Sequence, residues 1–155
     1  MASTRFGPEI VYGFNDVNNS IHSLDMSQAM PFPNAVGTLP TRIYSLAYNG
    51  TTVAALALPT AGGCCDVYKI EGGTPTALAN CPNGAGYMAI AMDATNIYVA
   101  DNSVFRVSLD GGTGCAPIVV NSNIPNATTQ LAVGIVVDAN AVYFATQNNV
   151  YKVHK

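Results

Sequence analysis

The sequence repeats itself at a fixed distance along the chain. The segment Ile90–Asp101 returns as Ile135–Thr146, so that Asp93 matches Asp138 at an offset of 45 residues. A constant offset of this size is typical of stacked supersecondary units, in which each copy forms the same small arrangement of strands or helices. The repeat therefore constrains the fold far more tightly than it constrains the function.

Composition favours an all-β chain. The 155 residues have the length of one domain. They are 49% hydrophobic but only 10% charged, whereas about 25% is usual in soluble domains. The remaining polarity comes from Asn, Thr, Ser and Gly, which suit short strands joined by tight turns.

The charge pattern argues against two classes of partner. The chain has six basic residues, a net charge of −3 and a sequence pI near 5.0. The basic residues are scattered, while a nucleic-acid surface requires them to be clustered. No apolar run approaches the roughly 20 residues of a membrane span. We therefore expect no nucleic-acid partner and no membrane-spanning segment.

One copy of the repeat resolves into four short strands separated by turn residues. The predicted strands are Tyr87–Met92, Ile97–Ala100, Val104–Leu109 and Ala116–Val120. The segment Asp110-Gly111-Gly112-Thr113 predicts a tight hairpin between the last two. Four short antiparallel strands per unit are typical of a propeller blade.

The same order extends in both directions and predicts a single propeller segment over residues 1–155. Complete blades are expected over 41–81 and 86–120, and partial blades over 9–40 and 131–155. The first copy is predicted to lack its innermost strand and the last copy its outermost. The chain would then hold about 3.5 blades of period 45.

The repeat also resembles a known group of proteins. The segment Asp-Ala-Thr-Asn-Ile-Tyr-Val-Ala-Asp, followed by Val-Phe-Arg-Val-Ser-Leu-Asp-Gly-Gly-Thr, resembles the repeat of bacterial secreted propellers related to the YWTD and NHL families. The likeness covers residues 42–155 well and 9–25 weakly. It implies a secreted or cell-surface protein whose family members close six or so blades into a ring. This chain departs from the pattern, because it has two complete blades and lacks the Trp of the YWTD signature.

An incomplete ring raises the question of how its ends are covered. A propeller protects its strand edges and apolar blade faces by closing, and an open segment exposes both terminal faces. We therefore expect a second copy of the chain to complete the ring, or the missing blades of a longer protein to be supplied in trans. An open, capped half-propeller is the remaining alternative.

The four cysteines suggest disulfides. If Gly72 and Gly73 are the centre of a hairpin, Cys64 lies opposite Cys81 in a non-hydrogen-bonded pair, where the Cα separation of about 4.5 Å suits a disulfide. Cys65 would point to the other face, and Cys115 is its remaining candidate partner. Buried thiols are the alternative reading.

Asp93 and Asp138 follow equivalent strands, and at one mouth of a propeller channel their carboxylates are candidate ligands for Ca²⁺. The better-supported role is to open a turn, which Asp does without any ligand. The equivalent position in the preceding blade is taken as Tyr48, which interrupts an acidic ring. No other metal or cofactor is expected.

Residues that would bind a ligand or catalyse a reaction are few. Tyr44, Tyr48 and Tyr87 lie near strand ends and are candidates for a sugar-binding cleft, with core packing as the alternative. Propeller lactonases and lyases use His and Glu around the channel, and this chain has only two of each. No catalytic residue is assigned.

The leading hypothesis is a secreted or cell-surface module that binds proteins or glycans or mediates assembly. Two alternatives stay open. One is half of a lyase-like or lactonase-like propeller enzyme whose catalytic residues lie in missing blades. The other is a self-assembling structural protein.

Overall fold

A computed structural model describes residues 1–15, 17–59, 65–81, 89–100, 103–112, 114–119 and 133–155. The regular structure of these residues is entirely β. In chain order the strands are β1 (Ala2–Phe6), β2 (Glu9–Gly13), β3 (Ser20–Asp25), β4 (Asn34–Thr38), β5 (Ile43–Tyr48), β6 (Val53–Ala57), β7 (Cys65–Glu71), β8 (Thr74–Cys81), β9 (Ala89–Met92), β10 (Asn96–Ala100), β11 (Val104–Ser108), β12 (Ala116–Val119), β13 (Gly134–Val137), β14 (Ala141–Ala145) and β15 (Val150–His154).

The strands form four antiparallel sheets that follow one another along the chain. The first sheet holds β1–β4, the second β5–β8, the third β9–β12, and the fourth β13–β15 in the part of the chain that is described. Within each sheet every strand pairs with its sequence neighbour. The first strands of successive sheets, β1, β5, β9 and β13, pack against one another in series. The predicted all-β fold of repeated antiparallel sheets is confirmed.

The first sheet contains a strand that the sequence analysis missed. Residues Ala2–Phe6 form β1 and pair with β2 from Ala2 opposite Gly13 to Phe6 opposite Glu9. The prediction that the first copy lacks its innermost strand is therefore wrong. The strand is polar, and its turn is only Gly7 and Pro8, so no apolar run marks it in the sequence. Gly7 has a φ of 58°, which a tight turn accommodates most easily at glycine.

Each pair of neighbouring sheets buries an apolar cluster between them. The first and second sheets enclose Val11, Ile21, Val53, Ala55 and Ile70, among others. The cluster between the second and third sheets includes Leu56, Val67, Ile97, Val99 and Phe105. The third and fourth enclose Tyr98, Ala100, Val104, Val142 and Phe144. Within the described ranges no comparable cluster joins the fourth sheet to the first, so the four sheets form an open arc.

A disulfide fastens the second sheet to the third. It joins Cys81, at the end of β8, to Cys115, just before β12, with a Cα separation of 5.3 Å. The sulfurs lie in the apolar cluster between these two sheets. The predicted presence of a disulfide is confirmed, but the predicted pairs Cys64–Cys81 and Cys65–Cys115 are not the ones formed.

A single β-bulge changes which cysteine lies opposite Cys81. The hairpin register is as predicted near the turn, with Glu71 opposite Thr74, but it shifts by one residue between Val67 and Tyr68. Beyond the bulge, Cys65 rather than Cys64 lies opposite Cys81. Cys65 is buried and is not part of the disulfide. Cys64 lies outside the described residues.

Candidate functional site

The ends of the four inner strands meet at one mouth of the arc. The last residues of β1, β5, β9 and β13 line a single cavity of about 570 Å³. These four residues are Phe6, Tyr48, Met92 and Val137. The turns that follow them complete the lining, so the cavity is built from equivalent positions of all four sheets. A smaller cavity of about 250 Å³ is lined by Thr4 of β1 and by residues of β5, β9 and β13.

Asp93 organises the turn after β9. Its Oδ1 accepts hydrogen bonds from the backbone amides of Thr95 at 2.9 Å and Asn96 at 2.8 Å. Its Oδ2 accepts a hydrogen bond from the hydroxyl of Tyr98 at 3.0 Å. The carboxylate therefore ties the turn to the strand that leaves it, which is the turn role expected of this residue.

Asp138 repeats the arrangement in the fourth sheet. Its Oδ1 accepts hydrogen bonds from the amides of Asn140 and Ala141, both at 2.7 Å, and its Oδ2 accepts one from the Tyr143 hydroxyl at 3.0 Å. The motif is an Asp followed five residues later by a Tyr. The Tyr was visible in the repeat, but its bond to the Asp was not predicted.

Asn49, not Tyr48, is the equivalent position in the second sheet. Its Oδ1 accepts hydrogen bonds from the amides of Thr51 at 3.2 Å and Thr52 at 3.0 Å. The backbone bond from the Asn49 amide to the Thr52 carbonyl also matches the one from Asp93 to Asn96. The sequence analysis placed this position one residue too early, because Asn49 and Asp93 are 44 residues apart, whereas Asp93 and Asp138 are 45 apart.

Polar contacts join neighbouring sheets around the mouth. Between the first and second sheets, the Tyr48 hydroxyl donates to Glu9 Oε2 at 2.7 Å. Between the second and third, the Asn49 side-chain amide donates to the Asp93 carbonyl at 3.3 Å. Between the third and fourth, Lys155 Nζ donates to Asp93 Oδ2 at 2.7 Å. A continuous polar belt therefore links all four sheets at this rim.

Lys155 follows β15 directly and reaches the mouth beside the fourth-sheet turn. Its backbone amide donates to the Asn140 carbonyl, and its ammonium lies 5.5 Å from the centre of the Tyr98 ring. The ion pair with Asp93 is mostly buried at both side chains. Sequence reasoning missed this contact, since 62 residues separate the partners and no local pattern connects them.

The two carboxylates are held in their charged forms. Partial burial acts to raise the pKa of Asp93, but hydrogen bonds from Lys155 and from the Thr95 and Asn96 amides outweigh it and hold this pKa far below 3.8. The pKa of Asp138 is also lowered, chiefly by the amides of Asn140 and Ala141. In the described residues no three His, Cys, Asp or Glu side chains are grouped as metal ligands.

The three tyrosines predicted as ligand-binding candidates do not lie together at one site. Tyr48 lines the mouth, where its ring contacts Phe6 edge-on with centroids 6.0 Å apart. Burial and the hydrogen bond to Glu9 raise the pKa of Tyr48 to about 12. Tyr44 lies at the β5 bulge, is exposed, and is not part of the cavity lining. Tyr87 lies outside the described residues.

Phe6 is a mouth residue that the sequence analysis did not identify. Its side chain is 52% exposed, and its ring lies over Gly50, where any Cβ would clash with the ring. Asn49 and Thr51 lie at the same cavity. The mouth therefore presents one accessible aromatic ring beside fixed hydrogen-bonding groups.

No family model matches the chain, and no curated protein matches it. Solved structures do. The computationally designed Ika4 protein aligns with a TM-score of 0.62 at 14% identity, over 99% of this chain and 89% of that one. A chain of a nidogen/laminin complex aligns with a TM-score of 0.68 at 18% identity, over 96% of this chain. BamB from Moraxella catarrhalis aligns with a TM-score of 0.53 at 17% identity, over 97% of this chain.

These similarities establish the fold. The nidogen/laminin and BamB neighbours are β-propellers, so the four sheets are propeller blades in a partial propeller. The chain spans 58% of the matched chain in the nidogen/laminin complex and 41% of BamB. No helix in the described ranges is long and apolar enough to cross a membrane.

Proposed function

We propose that this partial propeller is a secreted or cell-surface interaction module that binds a protein or glycan ligand at the mouth of its inner strands. The observation that carries the proposal is the cavity of about 570 Å³ to which all four sheets contribute. A concave site shared by several elements, with a few fixed polar groups, is typical of ligand binding.

The chemistry of the mouth supports recognition of a partly apolar, partly polar ligand. The exposed ring of Phe6 offers an apolar surface of the kind that stacks on sugar rings or packs against peptide side chains. The polar belt holds the surrounding turns in place before a ligand arrives, which lowers the entropy lost on binding. Protein and glycan ligands both fit this description.

The disulfide supports the proposed location. Disulfides persist in secreted and surface proteins, whereas most cytosolic compartments keep thiols reduced. The Cys81–Cys115 bond joins two blades across a buried interface, as a structural disulfide does.

The experiment compares wild type with a variant in which the mouth is blocked. Ala94 and Ala139 are exposed, equivalent positions on the lining of the cavity. The double variant Ala94→Arg/Ala139→Arg places two long side chains at the mouth without touching an apolar cluster. Ala77→Arg on the outer strand β8, also exposed, is the matched control.

The probes are a printed glycan array and an array of purified extracellular proteins. We expect a reproducible signal for wild type and Ala77→Arg that the double variant loses. A signal equally strong in the double variant would place binding elsewhere and overturn the mouth as the site. No signal on either array would contradict a protein-binding or glycan-binding module.

A further inference from the structure

The fourth sheet carries interface residues on a face that no other part of the described chain covers. In the third sheet, Tyr98, Ala100 and Val104 face the fourth sheet and are buried there. Strand register identifies their equivalents. Ala100 is opposite Val104 in the third sheet, and Ala145 is opposite Val150 in the fourth.

The same residue types therefore recur on the outward face of the fourth sheet. Tyr143 is structurally equivalent to Tyr98, Ala145 to Ala100 and Val150 to Val104. A cation is retained as well: Lys152 lies opposite Tyr143, with its ammonium 5.5 Å from the ring centre, where the third sheet has Arg106 opposite Tyr98. The outward face thus keeps the pattern of a blade-to-blade interface.

The equivalent residues of the third and fourth sheets differ in solvent exposure. Tyr98 is 1% and Val104 0% exposed, whereas Val150 is 74% exposed. Val136, on the inner strand of the same outward face, is 63% exposed. A contiguous patch of exposed apolar residues on one sheet face is typical of a surface that another molecule covers.

The outward face of the first sheet carries the complementary half of such an interface. In the third sheet, the face that packs on the preceding sheet is made of Ile97, Val99, Phe105 and Val107. By register and facing direction, the corresponding positions in the first sheet are Ile10, Tyr12, His22 and Leu24. All four are part-exposed, and Tyr12 and His22 stack with centroids 5.8 Å apart.

We propose that two copies of the chain close one ring of eight sheets, in which the fourth sheet of each copy packs on the first sheet of the other. The two faces are the unmatched halves of an interface that the chain already forms three times within itself. One copy carries one of each half, so a second copy covers both without any other partner. A two-fold pair of this kind is closed.

Ring closure is independent of the proposed ligand site. Tyr143, Val150, Ile10 and Tyr12 line neither cavity at the mouth, and Val136 lines only the one of about 250 Å³. A failure of ligand binding on the arrays would therefore say nothing against ring closure. A failure of ring closure would be detected separately, as a change in solution mass.

The experiment measures solution mass by light scattering across a dilution series. Wild type is expected at twice the 16.1 kDa of one chain. Val136→Lys/Val150→Lys on the fourth sheet and Ile10→Lys on the first each bury an unpaired charge in the proposed contact. Each is expected to weaken association at least about 100-fold. Val17→Lys, at an exposed valine outside both faces, is the matched control and is expected to keep the two-chain mass.

Circular dichroism establishes that each variant is folded before its mass is interpreted. Three results would overturn the proposal. Wild type could be a single chain at every concentration. It could form a broad series of larger species, which would mean end-to-end assembly without closure. Finally, Ile10→Lys could keep the two-chain mass while Val136→Lys/Val150→Lys loses it, which would mean that the two fourth sheets contact each other.

Discussion

The third and fourth sheets share one hairpin and differ in what surrounds it. In both, an Asp accepts two turn amides through Oδ1 and a Tyr hydroxyl at 3.0 Å through Oδ2. In the third sheet this Tyr is enclosed between blades, and in the fourth it is half-exposed. The hairpin is therefore specified by its own residues, while the burial of the same residues depends on the neighbouring blade.

The two sheets also differ in how they are fastened. The third is joined to the second by the Cys81–Cys115 disulfide and to the fourth by the Lys155–Asp93 ion pair. The covalent connection stabilises mainly by restricting the unfolded chain, whereas the ion pair acts through charge and is sensitive to pH. Three measurements test whether this difference in surroundings has the expected energetic consequences.

The largest expected contrast is between Tyr98→Ala and Tyr143→Ala. Removing the buried Tyr98 ring leaves a cavity between two blades and should lower the free energy of unfolding by about 3–4 kcal/mol. Tyr143→Ala should cost less than about 1 kcal/mol in the dissociated chain, because its ring is half-exposed and is not enclosed between two blades. Urea denaturation of dilute protein measures both. Equal losses would show that exposure does not distinguish the two copies.

The next effect is reduction of the disulfide. Breaking Cys81–Cys115, which closes a sequence separation of 34, should lower the free energy of unfolding by about 3 kcal/mol. Denaturation with and without a thiol reductant measures the change. The double variant Cys81→Ser/Cys115→Ser is the control, since its stability should not respond to reductant. An unchanged wild-type midpoint would mean that the bond between these blades contributes no stability.

Local pattern predicted the parts of the fold that local chemistry determines. The hairpin at Gly72 and Gly73 has the expected register, with both glycines at positive φ. The turn role of Asp93 and Asp138 also followed from residue type. Such features depend on a few adjacent residues and repeat wherever those residues repeat.

The errors have a different physical origin. The bulge opposite Val67 and Tyr68, which places Cys65 rather than Cys64 opposite Cys81, is an insertion of one residue with no marker in the sequence. Strand β1 is mostly polar, and it forms a strand through its backbone pairing with β2 rather than through an apolar pattern of its own. The polar belt at the mouth depends on contacts between blades, such as Asn49 with Asp93 and Lys155 with Asp93. Periodicity cannot predict a contact whose partners lie in different repeats.

The smallest expected effect concerns Asp93→Asn. Asn49 opens the equivalent turn in the second sheet with its side-chain oxygen, so Asn at position 93 should keep the turn. What is lost is the charge that pairs with Lys155. Because both side chains are less than a quarter exposed, we expect a loss of about 1 kcal/mol at neutral pH.

The pH dependence makes this small effect diagnostic. The pKa of Asp93 is lower in the folded chain than its ordinary value, so its contribution to stability is full above about pH 4 and is lost as pH falls further. Urea midpoints measured from pH 7 down to the acid range should therefore fall more steeply for wild type than for Asp93→Asn. Asp138→Asn is the matched control, because its carboxylate has the same turn contacts without an ion pair to Lys155. If Asp93→Asn and Asp138→Asn flatten the profile equally, the turn amides rather than Lys155 hold the charge, and the ion pair does not distinguish the third sheet from the fourth.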